Sequence, residues 1–298
     1  MFYECAILPE VLFEIAIDRR NYRDFIRGFS IGGNFLYTEL PKLKRNKRKL
    51  LDLLNDSHTE IQKKRLEELI VFLKDNKVSR NYNYIGELSW LDNISAINQT
   101  ERFDHVISSI SCEDLSVSSI DDLFGFNYPL QKIVTRVAEE ITSIISCLLK
   151  TSEYVIIVDP YFSDKPRWWN VFVSLLRVSA NSLYKKQLII DVVFDGCKDH
   201  SPAANYLTDK LRRENLVFPD EFSLTVRFKS LTAREGNEQL HNRYILTNLA
   251  GVCFAHGLDE GEGTDDVSIL SKEVYGKRWE DYTTNNVFDL ISEYEVVF

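Results

Sequence analysis

Three short stretches gather side chains able to grip a phosphate. Residues 154–161 read Tyr-Val-Ile-Ile-Val-Asp-Pro-Tyr, residues 240–248 read Leu-His-Asn-Arg-Tyr-Ile-Leu-Thr-Asn, and residues 254–260 read Phe-Ala-His-Gly-Leu-Asp-Glu. His241 and Arg243 stand two apart at the start of a β-type run, so an extended backbone points both the same way. A guanidinium clamps the non-bridging oxygens of a phosphate, and an imidazole beside it serves as nucleophile or proton donor. The competing reading is a surface His beside a surface Arg. Asp159 ends an apolar run and either orients His241 or Arg243 or caps the segment that follows. Tyr161 either donates a hydrogen bond to phosphate or packs. His256 is either a second imidazole for the same pocket or a packed histidine at a strand end. Gly257 lets a backbone approach a ligand closely.

Strands and helices must position these groups. Tyr154–Val158 and Gln187–Phe194 are short apolar runs of the kind found in strands buried on both faces. Leu224–Phe228, Tyr244–Leu246 and Val252–Ala255 read as further strands. Trp168–Val178 and Ala203–Glu214 read as helices. Pro129 is expected to open a helix with an apolar stripe of Ile133, Val134, Val137, Ile141, Ile144, Ile145 and Leu148. Strands alternating with helices imply an α/β sheet with parallel members.

Upstream, Phe2–Leu8 reads as a strand stopped by Pro9, and Gly32-Gly33 marks a turn. Ser57 and Glu60 form a capping box. It is followed by Ile61, Leu66, Leu69, Ile70 and Leu73 at helical spacing, with an end near Asn76. Trp90, Leu91, Ile94 and Ile97 suggest a short helix, and the serine-rich stretch 108–119 a loop. A boundary near residue 127 divides an α-rich (α+β) N-terminal domain, 1–127, from an α/β C-terminal domain, 128–298.

The chain has 298 residues, enough for one large domain or two ordinary ones, with 44% hydrophobic residues and a net charge of −9. Such a surface repels nucleic acid and anionic lipid, so a polyanion must be met by a local basic patch. Residues 42–49 form one, with six cations that would contact nucleic acid or lipid, or lie solvated on a helix. The five cysteines are scattered and lack CxxC spacing, which reads as reduced, mostly buried thiols in a cytoplasmic protein. Runs of about 18 apolar residues are absent, so no transmembrane helix is expected, and no signal peptide or lipidation motif is visible. Residues 259–266 carry five acids whose spacing fits no EF-hand; a divalent cation site is one reading and a solvated acidic loop the favoured one. Trp168-Trp169 would stack bases or pack in the core. Walker A, GxGxxG, HExxH and GxSxG patterns are absent.

The arrangement resembles the phospholipase D superfamily, whose signature is His-x-Lys followed by Asp and a Gly-Ser-x-Asn element. His241-Asn-Arg243 matches His-x-Lys with Arg for Lys. Asn248 stands where the Asp belongs, Leu258 where Ser is usual and Glu260 where Asn is usual. A divergent branch is closer, the phospholipase-D-like domain at the C-terminus of MIT-domain proteins and its prokaryotic relatives. Its Asp-Pro-Tyr, Leu-His-Asp-Arg and Gly-Leu-Asp elements correspond in order to Asp159-Pro160-Tyr161, Leu240-His-Asn-Arg243 and Gly257-Leu258-Asp259.

The resemblance covers about residues 130–298. It implies a mixed sheet flanked by helices, and two facing histidines that work without metal or other cofactor, one attacking phosphorus and the other protonating the leaving group. With one motif per chain, it implies a homodimer. The expected catalytic set is His241, Arg243 and Asn248, with Asp159, Tyr161, His256, Gly257 and Asp259 binding substrate. The leading expectation is a cytoplasmic, metal-independent phosphodiesterase acting on nucleic acid, in a setting of anti-phage defence that the resemblance alone suggests. The alternative is a catalytically inactive module that binds phosphate-bearing ligands or partner proteins as a subunit of a larger complex. A third reading is anionic lipid binding.

Overall fold

A computed structural model describes residues 1–111, 116–125, 128–180, 185–199, 201–284 and 286–298. The chain divides into two compact units, Phe2–Tyr128 and Pro129–Phe298, the latter joined by Met1.

The first unit runs β1 (Tyr3–Ile7), α1 (Pro9–Ile17), α2 (Arg19–Phe29), β2 (Phe35–Thr38), α3 (Leu43–Asp52), α4 (Glu60–Asn76), β3 (Lys77–Val78), α5 (Trp90–Asn98), β4 (His105–Ile107) and α6 (Ile120–Gly125). Its four strands are all parallel, in the order β3-β2-β1-β4. Almost every residue of β1 and β2 is buried, as a parallel sheet covered on both faces requires. Pro9, which stops β1, starts α1 because its fixed φ suits the first helical turn. Gly32 has a φ of 95°, the left-handed turn that the Gly pair signalled. The strands β3 and β4 are too short to leave a readable pattern.

The α4 capping box sits two residues later than expected. Thr59 and Gln62 make the reciprocal bonds, because the Ser57 hydroxyl is held by Asn55 Oδ1 at 2.5 Å. Two overlapping Ser/Thr-x-x-Glu/Gln frames exist, and local side-chain bonding selects the second. Leu66, Leu69, Ile70 and Leu73 are buried as the period demanded, whereas Ile61 is exposed. The basic run becomes α3, which buries Leu50 and Asn46 and leaves Lys44, Arg45, Lys47 and Arg48 exposed.

The second unit runs β5 (Gln131–Thr135), α7 (Ala138–Ser143), α8 (Ser146–Thr151), β6 (Tyr154–Val158), α9 (Pro166–Ser179), β7 (Gln187–Asp195), α10 (Ala204–Arg212), β8 (Ser223–Ala233), β9 (Arg243–Thr247), β10 (Gly251–Phe254), β11 (Thr264–Ile269), α11 (Lys272–Thr283) and β12 (Phe288–Val297). It is an α/β fold on an eight-stranded mixed sheet, ordered β12-β8-β7-β6-β9-β10-β11-β5. Only β6–β7 and β7–β8 pair parallel. The Phe162, Phe172 and Phe228 rings pack together on the face that α9 covers. Tyr154 points to the other face, where it meets Trp279 of α11.

The helix expected from Pro129 is not formed as read. Residues 131–135 are an edge strand paired antiparallel with β11, and the rest splits into α7 and α8 around Ile144-Ile145. Ile133 is 72% exposed while Val134 is buried. That is strand alternation, and the ladder with β11 outweighs the 3.6-residue period.

Of the described cysteines only Cys5 is buried, Cys147 and Cys253 being partly exposed and Cys197 exposed, so the expectation of mostly buried thiols is corrected. Cys112 and part of the serine-rich loop (112–115) lie outside the described residues. Among the described residues, no helix is long and apolar enough to cross a membrane.

Candidate functional site

Sheet polarity decides what converges. Because β9 runs antiparallel to both β6 and β10, the carboxyl ends of β6 and β10 lie beside the amino end of β9. The carboxyl ends of β7 and β5 fall on the same edge. Loops leaving that edge enclose a cleft of about 720 Å³ with the first turn of α9. Asp159 and Tyr161 enter it from β6, Cys197 and Lys198 from β7, Arg243 from β9, His256, Gly257 and Asp259 from β10, Arg136 from β5, and Lys165, Arg167 and Trp168 from the start of α9.

Buried carboxylates build the walls. Asp159 is 1% exposed; its Oδ1 accepts from Tyr161 N–H at 2.9 Å and its Oδ2 from Leu258 N–H at 3.2 Å, tying the loops after β6 and β10 together. Burial pushes the Asp159 carboxyl above its ordinary value; the two N–H bonds and the Arg243 charge pull it down, and Asp259 adds to the rise. Asp265 of β11, also 1% exposed, accepts from the N–H groups of His256 at 2.9 Å and Gly257 at 3.3 Å.

Asp259, 3% exposed, lies between two guanidiniums, with Oδ1 2.7 Å from Arg136 Nη2 and Oδ2 2.5 Å from Arg167 Nη2. The contact to Arg136 is an aligned hydrogen bond; the Arg167 contact is a close ion pair without that alignment, since Oδ2 has no hydrogen-bond partner among the described residues. A Cβ at position 257 would meet Asp259 Oδ1 at 2.6 Å, which is why the turn carries Gly. The favoured reading of 259–266 as a solvated acidic loop therefore holds, as to solvation, for Glu262 and Asp266, which are exposed, and is corrected for the other three acids. Asp259 and Asp265 are buried struts, and Glu260 accepts from Ala138 N–H and the Asn170 amide. Among the described residues no cluster of three or more His, Cys, Asp or Glu is placed to hold a metal ion.

Arg243 is one of the cleft cations that pair with none of these struts among the described residues. It is half-buried, its guanidinium lies 5.1 Å from the centre of the Tyr161 ring, and its buried Nε has no hydrogen-bond partner among the described residues. Lys198 approaches the same ring at 4.3 Å. Five permanent cations against three carboxylates line the cleft, a local positive excess in a chain of net −9.

The sequence candidates are only partly brought together. Arg243, Asp159, Tyr161, His256, Gly257 and Asp259 line the cleft. His241 is exposed, lies just ahead of β9 and is not among the lining residues. Asn248 is at the opposite end of β9, ~16 Å from Arg243 at the rise of a strand, where its Oδ1 accepts from Glu153 N–H at 2.9 Å and Tyr154 N–H at 3.2 Å. Its expected role on phosphate is corrected, because five residues of extended chain separate the two ends. The tryptophan pair divides. Trp169 is buried against Phe162 and Phe172 with its Nε1–H on Glu214, whereas half-buried Trp168 lines the cleft. Arg136, Lys165, Arg167, Lys198 and Asp265 were missed. Arg136 was hidden by the strand misread as helix; the signal for Lys165, Arg167 and Lys198 was their place at a helix start or just past a strand end, whereas Asp265 lies inside β11.

No protein-family model matches the chain, and no curated protein matches it. Among solved structures, phosphatidylserine synthase of Haemophilus influenzae Rd KW20 aligns at a TM-score of 0.31 and 12% identity over 56% of this chain, which spans 47% of the synthase. TrmBL2, an archaeal chromatin protein with a novel mode of DNA binding, aligns at a TM-score of 0.29 and 9% identity over 80% of this chain and 84% of that one. At such scores neither likeness bears on what this chain does.

Proposed function

We propose that the C-terminal unit is a phospholipase-D-like module whose cleft binds a phosphate-bearing polyanion, the backbone of nucleic acid. The observation that carries this is Arg243. Its guanidinium is set on the Tyr161 ring at the wall of the cleft, where it can clamp an oxyanion that enters. Lys165, Lys198 and His256 share its cleft, and the local positive excess favours an anionic ligand.

The test is fluorescence anisotropy of a labelled oligonucleotide over a series of NaCl concentrations. Arg243→Ala should weaken binding ~10- to 100-fold, the worth of a charge-assisted hydrogen bond, and reduce the salt slope by about one. Unchanged affinity would remove the reading.

Hydrolysis is the second reading, favoured by the placement of His256. The last β9–β10 pair is Arg243–Phe254, so His241 and His256, each two residues beyond it, leave neighbouring ends of adjacent strands. In this reading His256 attacks phosphorus and forms a phosphohistidine while the leaving oxygen takes a proton from a second imidazole, either His241 or one from a second copy of the chain. Water then attacks the phosphohistidine and restores His256. Cleavage of an oligonucleotide in EDTA, lost in His256→Ala, is the expected result; full cleavage by that variant refutes it. Work in anti-phage defence belongs to the same proposal and rests on the resemblance alone.

A further inference from the structure

We infer that the cleft takes single-stranded nucleic acid, with bases stacked on the rings of Trp168 and Tyr161. This rests on the cleft reading above and names its ligand. A volume of about 720 Å³ is far more than one phosphate group fills and lies in the range that holds a whole drug-sized molecule. The space beyond the cations is bordered by two aromatic rings that reach solvent, Tyr161 at 41% exposure and half-buried Trp168.

Both rings are held by the groups that make the cleft positive. Arg167 lies 4.0 Å from the Trp168 ring while its other contact is the Asp259 carboxylate. Tyr161 carries Lys198 and Arg243 at its ring, and its N–H is fixed by Asp159. Trp168 and Tyr161 are thus rings on the cleft wall with cations at their faces or edges, whereas Trp169 packs in the core.

A basic groove interleaved with aromatic platforms is the arrangement that binds unpaired strands. The cations follow the backbone, and each base offers a π-face. In a duplex those faces are already stacked on neighbouring bases. A lipid headgroup has no such face.

The test uses the full-length chain and four probes: a fluorescent single-stranded oligonucleotide, its duplex, an abasic strand of equal length, and vesicles containing anionic lipid as competitor. The single strand should bind most tightly. Trp168→Ala should cost roughly tenfold on that strand, within the range for stacking on one base, and leave the abasic strand and duplex unaffected. Trp168→Tyr should restore most of the loss, and Tyr161→Ala should show the same selectivity; the two variants guard against a misfolded alanine. Arg243→Ala should weaken all nucleic-acid probes alike. Equal affinity for strand, duplex and abasic strand would overturn the stacking inference and leave the phosphate reading standing. Vesicles that displace the strand more effectively than free strand does would also overturn it. Failure of every nucleic-acid probe to bind would overturn both.

Discussion

Replacing Asp259 by Asn removes one charge from the clamp that shapes the cleft while keeping side-chain size and one acceptor oxygen. The carboxylate is 3% exposed and serves two guanidiniums, 2.7 Å and 2.5 Å away. The two pairs differ in worth, because the Arg136 side chain is 16% exposed and that of Arg167 is 54%. Breaking a buried pair by deleting one partner costs about 3–5 kcal/mol, and losing an exposed pair about 0–1 kcal/mol. The partial exposure of Arg136 places the first loss at the low end, so Asp259→Asn should destabilise the C-terminal unit by ~3 kcal/mol in all.

At about 2–4 °C per kcal/mol for a unit of this size, the melting point should drop by roughly 6–12 °C. Urea denaturation followed by tryptophan fluorescence measures the first quantity and a thermal melt the second. Binding should move the opposite way. The folded variant presents Arg136 and Arg167 without their carboxylate, so a labelled oligonucleotide should bind more tightly at low salt, with a steeper salt dependence. A stability loss below ~1 kcal/mol, the range of exposed pairs, refutes the clamp. Weaker oligonucleotide binding by folded Asp259→Asn refutes the account of the cleft as an anion site whose charge Asp259 holds down.

Gly257→Ala places a Cβ 2.6 Å from Asp259 Oδ1 and should cost about 1–3 kcal/mol as overpacking; a melt superimposable on wild type would refute it. Asn248→Ala should cost ~1 kcal/mol through two backbone N–H groups that lose their acceptor, with oligonucleotide affinity unchanged; a large affinity loss would return Asn248 to the site. Lys185 is buried and donates to the carbonyls of Leu149 and Ser152, and burial pushes its ammonium down to about 7. In the unfolded chain the group keeps a value near 10.4. The unfolded state therefore binds more protons between those values, so stability rises with pH from about 7 to about 10, and below that window the cost of burying the charge is fully present. Urea midpoints across the window should show the rise in wild type and not in Lys185→Met; parallel profiles would refute it.

The residue pattern alone determined the α/β class and most strands of the C-terminal unit. Runs such as Tyr154–Val158 and Gln187–Phe194 are apolar, β-branched and short, a combination that burial on both faces of a sheet demands. It also determined that Asp159, Arg243 and His256 belong at strand ends, since each closes or opens such a run. Only the tertiary structure decided which ends meet. The antiparallel set of β9 brought Arg243 to Asp159 and His256, and the same strand carried Asn248 away to the far edge. Residues 131–135 show the limit most clearly. Ile133 and Val134 fit a helix by spacing, and only β11, more than a hundred residues later, makes them a strand and delivers Arg136 to Asp259. Spacing reports neighbours along one element, whereas a site on a sheet edge is made by hydrogen-bonded partners distant in sequence.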